Sequence, residues 1–148
     1  MPGVDGGRDT AGRLRAVGLR VTAPRRAVLG WLEGHPHATA EQVRAGVRDV
    51  LGSVSHQAVY DVLKACTTAG LVRTIQPAGH PTLFETRVAD NHHHLVCRGC
   101  GRTEDVDCVP GAAPCLAPDD SRGFGIAEAE IVFWGWCPAC TASKETTS

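Results

Sequence analysis

Apolar positions along this chain follow two rhythms, and the change between them divides it. Up to Cys66 they recur at helical spacing; later they fall into short strand-like runs. Asp9 can cap a short helix bearing Leu14 and Val17 and closed by Gly18. Thr22 is the expected N-cap of a second helix, with Pro24 in its first turn and Val28, Trp31 and Leu32 on one face up to Gly34. Thr39 and Gln42 fit a capping box opening a third, in which Val43, Val47, Val50 and Leu51 recur at i, i+4, i+7 and i+8. The fourth, from Ser55 to Ala69, has a buried stripe of Val59, Val62, Leu63 and Cys66. Its opposite stripe, Gln57, Tyr60, Asp61 and Lys64, can donate, accept and stack. Gly70 ends it, and LVRTI and TLFET around QPAGHP read as a two-stranded hairpin.

Three helices, a fourth with a polar reading face and a terminal hairpin predict a winged helix-turn-helix over residues 1–88. Around 88–91 the composition turns acidic and rich in Cys and His, which marks a hinge. Residues 89–148 read as a small second domain of short strands, HLVCRGC, TEDVDC and AEIVFWGWC, joined by turns; Pro110 to Gly125 shows no assignable element. The fold class expected is α+β.

Charge sharpens the division. Residues 1–88 carry 11 Lys/Arg against 7 Asp/Glu, and residues 89–148 carry 4 against 9, so a formal charge of -1 conceals a basic front and an acidic back. The front half can face an anion such as DNA. The opening MPGVDGGRDT lacks the apolar run of a secretory signal, and no apolar stretch reaches the roughly 20 residues that cross a bilayer. These features lead us to expect a cytoplasmic protein with no membrane association, in which paired cysteines hold metal rather than form structural disulfides.

Cys97-x-x-Cys100 and Cys137-x-x-Cys140 are two such pairs. Four thiolates suit a closed tetrahedral Zn(2+) site that stabilises a small domain, with Gly101 and Pro138 favouring tight turns whose amides point at sulfur. Cys66 lies on the apolar stripe of its helix and reads as a small buried hydrophobe. Cys108 and Cys115 could form an accessory or oxidisable pair, but one spacing in a turn-rich loop does not establish it. In the strand NHHHL, His92 and His94 share one face while His93 points away. Two imidazoles are half a site for a borderline divalent ion. Further donors come from among His35, His37, Glu85, Glu104 and Asp105.

LRVTAPRRAVL, HATAEQV, SHQAVYDVLKACTTAGLV, TLFET, HHHLVCRGCG and GWCPAC, in this order and spacing, resemble the ferric uptake regulator family of bacterial metalloregulators. The resemblance spans nearly the whole chain. It implies an N-terminal winged-helix DNA-binding domain, a C-terminal α/β dimerisation domain with a four-cysteine zinc site, a homodimer and double-stranded operator DNA as partner. Position by position, it puts structural zinc on Cys97, Cys100, Cys137 and Cys140, and a regulatory metal on His37, Glu85, His92, His94 and Asp105. A metal bonding both domains would fix the hinge and select the dimer geometry that fits the operator. A further family site looks degraded, since Asn91 and Ala129 stand where ligands are expected, and His93 is given no metal. AVYDVL replaces the family's frequent TVYRTL, placing Asp61 where an Arg is common.

On the reading helix, Ser55, His56, Gln57 and Tyr60 are the expected base-facing residues, with Arg25 and Arg73 on phosphates. Three imidazoles and two carboxylates without a thiolate suit Fe(2+) or Mn(2+) better than a dedicated zinc sensor. Five ligands leave a sixth position open to peroxide. Asp rather than Glu at 105 resembles the family's peroxide-sensing branch, and the stretch from SHQAVYDVL through DNHHHLVCRGCG to the CVPGAAPCL loop is similar to members linked to catalase-peroxidase genes. The expected function is a metal-dependent, peroxide-responsive repressor, with an Fe(II)-responsive iron-homeostasis repressor second. A metallohydrolase is disfavoured because HExxH is absent, and a plain zinc-ribbon module leaves the histidines unused.

Overall fold

The computed structural model describes residues 9–88, 92–107, 119–126 and 130–145. Asn91, Cys108, Cys115, Ala129 and the first part of the 110–125 stretch lie outside the described residues. By its internal packing the chain divides into two compact units, 1–89 and 90–148.

In the first unit, α1 (Thr10–Ala16), α2 (Ala23–Gly34) and α5 (His56–Thr68) begin where capping side chains dictate. Asp9 accepts from the Gly12 amide at 2.8 Å, Thr22 from Arg25 at 3.3 Å and Ser55 from Ala58 at 3.1 Å. Each relieves a helix-end amide that has no partner within the helix. Thr39 and Gln42 form the reciprocal capping box, at 2.9 and 3.1 Å.

The third helix does not run unbroken to Leu51 as its apolar spacing suggested. It stops at Gly46 and resumes, so that α3 (Ala40–Gly46) is followed by α4 (Arg48–Leu51). Gly46 is the pivot. A Cβ there would come within 2.0 Å of Cε2 of Trp31, so the indole occupies the space of the missing side chain. The break keeps Val47 buried but rotates Val50 outward, to 75% exposure. Val17 likewise falls at the cap of α1, outside its apolar face, and is 38% exposed.

Leu14, Leu29, Leu32, Val43, Val59 and Leu63 centre one core. Cys66 is wholly buried within it, and burial pushes its thiol up from the ordinary value. Beside the helices lies an antiparallel sheet in the order β1 (Ala38–Thr39), β3 (Leu83–Glu85), β2 (Arg73–Ile75). The expected hairpin is therefore three-stranded; its third strand, two residues long, is too short to show an alternating pattern.

The second unit is built on β4 (His92–Cys97), paired antiparallel with β5 (Thr103–Asp107) and parallel with β6 (Val132–Gly135). Helix α6 (Pro138–Glu145) follows, so the second cysteine pair opens a helix rather than a turn. Pro138 sits at its first position, where the absent N–H costs nothing. Among the described residues no helix is long and apolar enough to cross a membrane.

The break at Gly46 separates two valines that the helical spacing treats alike. Urea unfolding should show Val43→Ala losing about 2 kcal/mol through a core cavity, and Val50→Ala changing stability by less than about 0.5 kcal/mol. Equal losses would restore the continuous helix.

Candidate metal centres and nucleic-acid interface

The thiol cluster forms where β4 ends. Arg98 donates its amide to Gly135 at 2.7 Å and Gly101 donates to Cys97 at 3.0 Å, which folds the first pair back towards the end of β6. Gly101 adopts φ 78, a left-handed turn suited to glycine. The Sγ atoms of Cys97, Cys100, Cys137 and Cys140 lie within 4.8 Å of one another. Sulfurs around a tetrahedral metal with bonds of about 2.3 Å are about 3.8 Å apart, and Cys100 and Cys137 stand at 3.7 Å. Amides of Gly99 and Cys137 donate to Cys97 Sγ, each at 3.3 Å.

Amide donation, led by Cys137, holds the Cys97 thiol down at about 6. Cys137 is also lowered, chiefly by the Cys140 amide. Cys140 is pushed up to about 12, because it donates first to Cys137 and then to Cys97 and Cys100. Two eased thiols beside one opposed by its neighbours make a cluster that cannot carry four negative charges alone. A dication removes that obstacle, and the soft donor set fits zinc. Sequence reasoning overlooked Gly99. A Cβ there would meet Cys140 Sγ at 2.9 Å, so a side chain at 99 would push against that sulfur. Its place inside Cys-x-x-Cys was the available signal.

The nitrogen and oxygen donors occur as two sets, one in each unit. In the first, Ala38 pairs with Phe84 across β1 and β3, and continuing that register sets His37 opposite Glu85. Their side chains meet at 3.0 Å, Nε2 to Oε2, with Glu85 fully buried. His37 adopts φ 62, a left-handed conformation uncommon for any residue but glycine, which is the kind of strain that functional sites hold. The turn before it is braced: His35 stacks on Trp31 at 4.0 Å and its Nδ1 lies 2.8 Å from the Trp31 carbonyl. His35 is thereby engaged away from His37.

In the second unit, β4 and β5 register His94 directly against Asp105, with His92 two residues along the same face. Asp105 Oδ1 lies 3.2 Å from His94 Nε2 and 3.5 Å from His92 Nε2. The two rings sit edge to face at 4.8 Å, and both are buried. His93 points to the other side, against Phe133 at 6.3 Å. Glu104, the other acid considered from sequence, is tied to Arg102 instead.

On α5, Ser55, His56, Gln57 and Tyr60 are all exposed, while Val59, Val62, Leu63 and Cys66 are buried. His56 Nδ1 approaches Glu41 Oε2 at 3.1 Å and Gln57 bonds to Asp61. Arg25 is half-buried and donates to the Arg20 carbonyl at 2.8 Å; Arg73 is half-buried on β2.

Residues 16–113 match the model of the ferric uptake regulator family. The chain belongs to that family. It is 54% identical over 140 residues to the transcriptional regulator FurA of Mycobacterium tuberculosis, covering 95% of each chain. It is 56% identical over 128 residues to ferric uptake regulation protein 1 of Mycolicibacterium fortuitum, covering 86% of this chain and 80% of that one. At 26% identity over 133 residues, it matches the peroxide-responsive repressor PerR of Staphylococcus aureus over 89% of each. The fold matches the manganese-containing ferric uptake regulator of Pseudomonas aeruginosa with TM-score 0.67 and 26% identity, over 88% of this chain and 99% of that one. The chain is thus a metal-dependent transcriptional regulator and not an enzyme.

Metal analysis of purified variants tests the thiol cluster. Cys97→Ser and Gly99→Ala should each lose most of their zinc and destabilise the second unit, while Cys66→Ala keeps the full complement. A zinc-free but equally stable Cys97→Ser variant would refute the assignment.

Proposed function

We propose that this protein is a homodimeric repressor that binds operator DNA when loaded with a divalent metal and releases it on oxidation by hydrogen peroxide. Cys97, Cys100, Cys137 and Cys140 hold structural zinc. His37 and Glu85 from the first unit and His92, His94 and Asp105 from the second hold one regulatory Fe(II) or Mn(II). The observation that carries the reading is the donor chemistry of these two sets: each converges on a carboxylate, all donors are imidazole or carboxylate, and none is a thiolate.

One ion drawing on both sets ties the units together, which gives a bound metal a means of choosing the arrangement that fits DNA. Ser55, His56, Gln57 and Tyr60 present the exposed face of α5 to the major groove, and Arg25 and Arg73 hold phosphates. Leu95 and Phe133 are register neighbours on β4 and β6, and with Trp136 they form an exposed apolar face suited to a second copy. Peroxide-defence genes such as those of catalase-peroxidases are the expected targets.

Fe(II), when bound, supplies the electron that splits the O–O bond of peroxide, chemistry that Mn(II) does not do readily. His37, His92 and His94, as imidazoles that would hold the ion, would be the side chains open to the oxidising equivalent. Asp105, one carbon shorter than Glu, would hold the ion with a shorter reach across it than a glutamate. A second reading, an Fe(II)-responsive iron-homeostasis repressor, is favoured by the name of the M. fortuitum relative.

The two readings separate by mass spectrometry and gel shift. The Fe(II)-loaded protein should release its operator irreversibly after a small excess of peroxide, with one oxygen added to the peptide carrying His37 or to that carrying His92 and His94. The Mn(II)-loaded protein should bind equally and resist. Asp105→Glu should keep metal-dependent binding and blunt the peroxide response. Oxidation confined to cysteines would reject the iron-based mechanism and leave an iron-homeostasis or thiol-redox repressor.

A further inference from the structure

The reading face of α5 carries an acid, Asp61, where a negative charge opposes DNA phosphate. That carboxylate is engaged within the helix: Gln57 Nε2 donates to Asp61 Oδ1 at 2.7 Å, across one turn, and both side chains are exposed. An ionised carboxylate only accepts, so the amide nitrogen of Gln57 must face it. The orientation of that amide, ambiguous for an isolated Gln, is thereby set by chemistry. Gln57 retains one N–H and its carbonyl oxygen for an outside partner.

A donor and an acceptor side by side match the major-groove edge of adenine, whose N7 accepts and whose N6 donates. Guanine offers two acceptors there and opposes the carbonyl. The neighbouring His56 is occupied elsewhere, by Glu41, which Arg44 holds through Nε at 3.2 Å and Nη2 at 2.8 Å. Gln57 and Asp61 thus form a separate pair on the face that would enter the groove.

We propose that Asp61 is the positioning residue that orients Gln57 to read adenine, and so a determinant of operator preference. The proposal rests on the operator-binding reading above. Asp61 itself touches no base. Its charge weakens attraction to all DNA uniformly, while the bond it accepts sharpens discrimination at one base pair.

The test is selection from duplexes randomised over a half-site, using full-length protein loaded with zinc and Mn(II), with the bound pools sequenced. Wild type should enrich adenine at a position whose preference vanishes in Gln57→Ala. Asp61→Ala should lower that preference about tenfold. Asp61→Asn, whose amide oxygen still accepts from Gln57, should retain it, although both variants lose the same charge and gain affinity for random DNA alike. Equal loss of adenine preference in the two Asp61 variants would overturn positioning in favour of a pure charge effect. Retained adenine in Asp61→Ala with loss of a cytosine at another position would make Asp61 a base reader and equally overturn it. If wild type selects no sequence with Mn(II), the operator-binding reading itself fails, an outcome distinct from either.

Discussion

Four thiols crowded at the end of a three-stranded sheet are the constraint on which the second unit depends. Among its described residues the fully buried apolar side chains are Val96 and Cys97, whereas the first unit has a continuous core from Leu14 to Phe84. A short sheet with so little apolar burial is marginal by itself. A dication shared by the end of β4 and the start of α6 would join segments 40 residues apart, Cys97 and Cys137, and lower the conformational freedom of everything between. The contrast between Cys97 and Cys137, which amides ease towards ionisation, and Cys140, which its neighbours oppose, fits the same reading of a cluster suited to a bound cation.

Strand parity then keeps two kinds of metal chemistry apart. His92, His94 and Val96 lie on one face of β4 and His93, Leu95 and Cys97 on the other. One six-residue strand therefore offers the His92 and His94 imidazoles to one side and the Cys97 thiol to the opposite one. A one-residue slip would exchange the two sets, so pairing on both edges, with β5 and β6, is what secures the donor separation. A soft ion on sulfur and a borderline ion on nitrogen and oxygen can then be held by neighbouring residues without competing for ligands.

What could be read from sequence was what local chemistry dictates. Helix starts followed from Asp9, Thr22, Thr39 and Ser55, because a capping oxygen serves amides only three residues away. The two sides of α5 followed from periodicity, and the grouping of four cysteines from spacing. Several of the features missed depend on partners distant in the chain. The break after Gly46 answers to Trp31, β1 exists only because β3 lies beside it, and the crowding at Gly99 comes from Cys140. The helical content after Cys137 was hidden by reading Pro138 as a turn residue when it also begins helices. Asp61 was legible as a departure but not as a hydrogen-bond acceptor, although its spacing from Gln57 is that of neighbours on a helix face.

Within the first unit, the turn that carries His37 and helix α5 are linked through α3. His37 precedes β1 directly, and Thr39 ends β1 and caps α3. Glu41, in the first turn of α3, reaches His56 at the start of α5. The strained backbone of His37, of a kind worth about 1–3 kcal/mol, is therefore held at one end of a short element whose first turn also meets α5. A proposed metal that pulls on His37 acts on this element rather than on a loose loop, since the Trp31 and His35 stack closes the alternative of yielding before Pro36. Strain at His37 and a firm support behind it belong together: a loose support would let His37 relax, and a proposed ion bound there would then have nothing to move.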